Sequence, residues 1–166
     1  AFGETSGPGV LKVVESIAVD VANDRLLIAE ELETGSHIKV YTLDGRFTGR
    51  IIDSGLFPHQ AEGIILYACG DTAGYWLATD QDMTVNTFHV FDRQTLDHLG
   101  SFQGETTLNT DGIALTQRGF GDFPSGAFYA VHNDGNVAAF SWDAIADALK
   151  LRKDCGLPGT AAEPAA

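Results

Sequence analysis

Short apolar runs, each bounded by turn residues, recur three times along the chain in the same internal order. The first set is Glu15-Ser16-Ile17-Ala18-Val19-Asp20, then Arg25-Leu26-Leu27-Ile28-Ala29-Glu30-Glu31, then His37-Ile38-Lys39-Val40-Tyr41. The second is Glu62-Gly63-Ile64-Ile65-Leu66-Tyr67, then Tyr75-Trp76-Leu77-Ala78-Thr79-Asp80-Gln81, then Thr87-Phe88-His89-Val90-Phe91. The third is Asp111-Gly112-Ile113-Ala114-Leu115, then Ala127-Phe128-Tyr129-Ala130-Val131-His132-Asn133, then Asn136-Val137-Ala138-Ala139-Phe140. The runs are rich in β-branched and aromatic residues, and Gly, Asp and Asn punctuate them, so each reads as a β-strand. Fourth strands are expected at Phe47 to Ile52 and His98 to Phe102. The third set continues instead into Trp142-Asp143-Ala144-Ile145-Ala146-Asp147-Ala148-Leu149, which predicts a short helix capped near Ser141 or Asp143.

The acidic heads Glu15, Glu62 and Asp111 stand 47 and 49 residues apart, the period of a four-stranded propeller blade. The expected fold is therefore all-β: a partial β-propeller over residues 1–156, with about three four-stranded antiparallel blades and a short C-terminal helix. The blades are placed at about 10–55, 56–105 and 106–150, and 157–166 reads as a flexible tail. Three blades do not close a ring in the ordinary way. An open half exposes strand edges and one apolar flank, so either further blades belong to a parent protein or two copies associate to complete six. The start at Ala1, with neither Met nor signal peptide, reads as that of a mature or excised piece.

Composition narrows the class. The 44% hydrophobic and 20% charged residues describe a folded chain, and 19 glycines suit many tight turns. The formal net charge of -13 argues against nucleic acid and anionic membranes as partners. No apolar run approaches the roughly 20 residues that span a bilayer. Cys69 and Cys155 leave one bridge or two free thiols open. The five histidines show no ligand spacing, and nucleophile, phosphate-loop and dinucleotide motifs are absent.

The acids break the apolar pattern at equivalent places. In a propeller the innermost strands surround the axis, so the blade heads converge near one mouth, joined by Glu30-Glu31, Asp80-Gln81 and His132-Asn133-Asp134. Converging carboxylates repel unless a cation lies between them, and a mixed carboxylate and amide set suits Ca²⁺. The plainer reading makes the same residues turn formers at strand ends.

These residues also resemble, in order, segments of the alkaline β-propeller phytases. Ala29-Glu30-Glu31 with Ile38-Lys39-Val40-Tyr41, Glu62 to Tyr67 with Gly74 to Ala78, and Asn109-Thr110-Asp111-Gly112-Ile113 each resemble a family motif. Gly119-Phe120-Gly121 through Asn136 and Trp142 to Ala146 are similar to its ending. The resemblance covers roughly 13–149 and implies half of a six-bladed, Ca²⁺-dependent hydrolase that removes phosphate from phytate or a related phosphorylated small molecule. It implies Glu30, Glu62, Asp111 and Gln81 as metal ligands, with Glu15, Glu31 and Asn136 at nearby motif positions, and Lys39 against a substrate phosphate. A metal-activated water replaces any protein nucleophile, and family habit implies secretion or a periplasmic location. Ser16 stands where the family has glycine and His132 where it has glutamine, the acidic stretch before Asn109 is reduced to Glu105 and its neighbours, and the first half of the propeller is missing. A non-catalytic, calcium-stabilised binding module and a lactonase-type propeller hydrolase remain the competing expectations.

Overall fold

In the computed structural model, which describes residues 3–33, 35–52 and 55–155, the three repeats form three antiparallel sheets. The tail read at 157–166 lies outside the described residues. The first sheet runs in order β1 (Val14–Asp20), β2 (Arg25–Glu30), β3 (His37–Tyr41), β4 (Phe47–Ile52). The second runs β5 (Gln60–Cys69), β6 (Ala73–Gln81), β7 (Thr87–Asp92), β8 (His98–Phe102). The third has β9 (Ile113–Thr116), β10 (Ala127–His132) and β11 (Asn136–Ser141).

The three-bladed partial propeller expected from the repeat is therefore present, with one difference in strand number. The third sheet has three strands among the described residues, because the chain turns at Ser141 straight into helix α1 (Trp142–Leu149). The apolar spacing of Trp142, Ile145 and Ala146 explains the change, since those three side chains are buried along one stripe. Ser141 is the N-cap residue but its side chain makes no capping bond, and Asp143 instead accepts from the backbone and hydroxyl of Ser125. At its far end the helix closes onto β8: a Cβ on Gly100 would lie 2.8 Å from Leu149 Cδ2.

The central strands read as unbroken apolar runs because both of their faces are covered, each by a different neighbour. On β6, Trp76 and Ala78 pack with Leu27, Ala29, Ile38 and Val40 of the first blade. The intervening Leu77 packs with Phe88, Phe128 and Ala130 toward the third. Tyr67 stacks on Trp142 with ring centroids 3.8 Å apart. Truncating one such fully buried side chain to Ala typically costs about 2–5 kcal/mol.

One rim of the blades is stitched tightly. Asp20, at the end of β1, receives Nε and Nη2 of Arg93 at 3.0 and 2.8 Å, and both side chains are buried. Arg93 also donates to the Ala73 carbonyl at 2.9 Å. Gln117, beyond β9, pairs with both backbone groups of Ala68 on β5, at 2.8 and 2.7 Å. Cys69 and Cys155 form a disulfide across 86 residues, which settles the question left open by the sequence and ties the segment after α1 to the second blade.

Candidate functional site

The acidic heads gather at the rim opposite these stitches. Two of them sit on β-bulges, which re-aim side chains out of the regular pleat. The β1/β2 register shifts between Val14 and Ser16, around Glu15. The β5/β6 register shifts between Ala61 and Ile64, around Glu62 and Gly63. Asp111 lies in the irregular segment just before β9, and Glu31 just past β2, where its N–H donates to the Val13 carbonyl at 3.0 Å. Gly63 lets the inner strands of the second and third blades approach closely: a Cβ there would stand 2.8 Å from Ile113 Cγ1 and 2.9 Å from the Asp111 carbonyl oxygen.

Glu62 is the centre of this cluster. It is 3% exposed, and among the described residues no group donates a hydrogen bond to its carboxylate. Burial, then the charges of Glu15, Glu31 and Asp111, push its carboxyl up to about 8. One mouth thus holds acids from all three blades: Glu15 and Glu31 from the first, Glu62 from the second, Asp111 from the third. Glu15 and Asp111 are exposed and Glu31 is half-buried. Gln81, the last residue of β6, donates from Nε2 to Asp111 Oδ1 at 2.5 Å, and Gln60, the first residue of β5, donates to Glu31 Oε1. Ser16 Oγ donates to the Glu62 carbonyl at 2.7 Å.

Glu30 and Lys39 lie apart from that cluster, bound to each other. Lys39 Nζ is 2.5 Å from Glu30 Oε2 and also donates to the Val10 carbonyl at 2.5 Å. His37 Nε2 stands 2.9 Å from the same Glu30 oxygen, and the Lys12 N–H donates to Oε1 at 2.5 Å. Burial raises the Glu30 carboxyl, but the Lys39 and Lys12 hydrogen bonds and the nearby positive charge outweigh it and hold the group below the usual range. A metal at Glu30, or a phosphate at Lys39, has to displace one of these partners. Asn136 is exposed at the start of β11, paired in register with His132, and no bond among the described residues joins it to the mouth.

The donor set around Glu62 suits a hard cation: carboxylate oxygens with amide groups beside them, no sulfur, and a buried acid lacking any donor. Among the described residues no three acidic, His or Cys side chains converge at ligand distance. Sequence reasoning missed Gln60, and it noted Ser16 only as a departure. It also missed the neighbouring pair in which Asp80 holds both the N–H and the Nδ1 of His59 at 3.0 Å. The available signal was position: Gln60 lies two residues before an acidic head, opposite Gln81.

Comparison with known proteins bears on the whole arrangement. The family model described as Phytase matches residues 10–157. No curated protein matches the chain.

Proposed function

The chain belongs to the phytase family of β-propeller hydrolases, and from that premise we propose that it supplies the calcium-binding half of a phosphomonoester hydrolase acting on phytate or a related phosphorylated small molecule. The observation that carries the reading is Glu62, a buried carboxyl without a donor, flanked by acids from the first and third blades. Glu15, Glu31, Glu62 and Asp111 are the proposed ligands, with Gln81 beside them. Calcium held there would neutralise phosphate charge, polarise the phosphoryl oxygen and activate a water. The chain's own contribution is to point these oxygens at one mouth, where a polyanionic substrate meets -13 of protein charge only after cations have reversed the local potential.

Titrating the 166-residue chain with Ca²⁺ by calorimetry, beside Glu62→Gln and Asp111→Asn, tests the site. Both substitutions should weaken binding by at least tenfold, and unchanged affinity in both removes the assignment. Phosphate release from phytate by the ring-complete protein, dependent on calcium, tests the activity.

Two further proposals accompany this one. The sheet faces not covered within the chain, such as Ala114, Val131, Val137 and Ala139 on the third blade, are where additional blades pack, either from a longer chain or from a second copy. Light scattering on the isolated chain decides whether copies associate. Export to an oxidising compartment is supported by the Cys69–Cys155 disulfide, and fractionation of the producing cells tests it.

A further inference from the structure

Two carboxylates with adjacent numbers are treated oppositely by the fold. Glu30 is held by the Lys39 ammonium, with the His37 ring beside it, and so its charge is compensated by Lys39 where it sits. Glu31 is held by a neutral amide, that of Gln60. Asp111, on the far side of the mouth, is held in the same manner by Gln81. The two glutamines are partners in the β5/β6 register, Gln60 opposite Gln81, so one strand pair of the middle blade sends an amide to an acid on each flanking blade. Between them, Ser16 grips the backbone carbonyl of Glu62 from the first blade, while Gly63 abuts the third.

An amide N–H orients a carboxylate without reducing its charge, whereas an ammonium or guanidinium orients and neutralises it. For a mouth that must attract a divalent cation the difference is decisive. We infer that Gln60, Gln81 and Ser16 are positioning residues that set the spacing of Glu31, Asp111 and Glu62 while adding no positive charge to the cluster. The inference rests on the calcium reading above and adds residues to it. Ser16 matters particularly, because its hydroxyl reaches from the first blade to the backbone carbonyl of Glu62 on the second.

The test separates orientation from mere tethering. Gln60→Leu removes the donor at similar volume, and Gln60→Lys keeps a donor but adds a positive charge. Calcium affinity, read by calorimetry on the full chain, should fall about tenfold with leucine, the scale of one lost hydrogen bond to a charged group. With lysine it should fall further, although the calcium-free melting temperature is equal to or above that of the parent. A tether alone would be rescued by lysine, so parent-like calcium affinity in Gln60→Lys overturns the inference. Parent-like affinity in both variants, while Glu62→Gln has lost binding, overturns it and leaves the calcium site standing. Parent-like affinity in Glu62→Gln as well overturns both. A cycle combining Gln60→Leu with Glu31→Gln should be strongly non-additive, since the amide acts through that carboxylate. Should Gln60→Leu fail to fold, Gln60→Lys with its melting curve carries the comparison.

Discussion

Replacing Glu62 by glutamine should make the calcium-free chain more stable at alkaline pH, although it removes a central residue of the site. In the folded chain the Glu62 carboxyl keeps its proton up to about 8, because burial and then Glu15, Glu31 and Asp111 oppose its ionisation; its ordinary value is 4.5. In the unfolded chain the proton leaves near 4.5. Between those values the folded state therefore binds more protons, and stability falls as pH rises. The contribution is fully present below pH 4.5 and lost above about 8. At about 1.36 kcal/mol for each pH unit between them, the full loss is on the order of 5 kcal/mol. Glutamine is nearly isosteric and does not ionise, so it escapes the loss. The assay is thermal melting in chelator-treated buffers from pH 4.5 to 8.5. At about 2–4 °C for each kcal/mol in a domain of this size, the variant should melt on the order of 10 °C above the parent at the alkaline end. The two should converge at the acidic end. Adding calcium should reverse the order, because ligand that binds only the folded parent stabilises it by mass action. A flat calcium-free pH profile for the parent, with the variant parallel to it, would refute the reasoning about Glu62.

Other perturbations address the remaining structure. Arg93→Met leaves Asp20 buried without its guanidinium partner and should destabilise by about 3–5 kcal/mol in urea unfolding, with much of the loss recovered when Asp20→Asn is added. Cys155→Ser, or reduction of the parent, opens the 86-residue bridge and should cost about 2–5 kcal/mol, read as a lowered melting temperature that reductant no longer affects in the variant. His89 is 6% exposed, and burial, then the charge of His98, hold its imidazole down at about 4. Stability should therefore decline as pH falls from about 6.5 toward 4, by about 3 kcal/mol from this group, and melting curves of His89→Phe should lack that component.

The blades were legible because turn residues and apolar runs repeat with the same order, and repetition survives the loss of any one signal. Helix α1 was legible too, since Trp142, Ile145 and Ala146 fall on one helical stripe. Which acid faces the mouth was not. The run Leu26-Leu27-Ile28-Ala29 is buried on both faces of the sheet, so its hydrophobicity carries no phase, and nothing in it says which of Glu30 and Glu31 turns which way. The structure supplies the phase: Glu30 shares a face with Ile28 and Lys39, the face over which Leu11 and Val10 lie. The bulges at Glu15 and Glu62 add a second shift that alternation does not encode. The Asp20–Arg93 clamp joins residues 73 apart, and such long-range charge pairs leave no local trace.

The stitched rim has a mechanical consequence. Asp20–Arg93, Gln117 with Ala68, and the Cys69–Cys155 bridge act at one end of the blades, while at the other end like charges press outward. The two ends are thus joined differently: one by a buried ion pair, paired backbone groups and a covalent bridge, the other by single hydrogen bonds from Ser16, Gln60 and Gln81 among like charges. Amide hydrogens near Ala68 and Ala73 should then exchange at one slow rate whatever the cation content of the buffer, and under the proposed calcium site those near Glu31, Gln60 and Asp111 should slow when calcium is added.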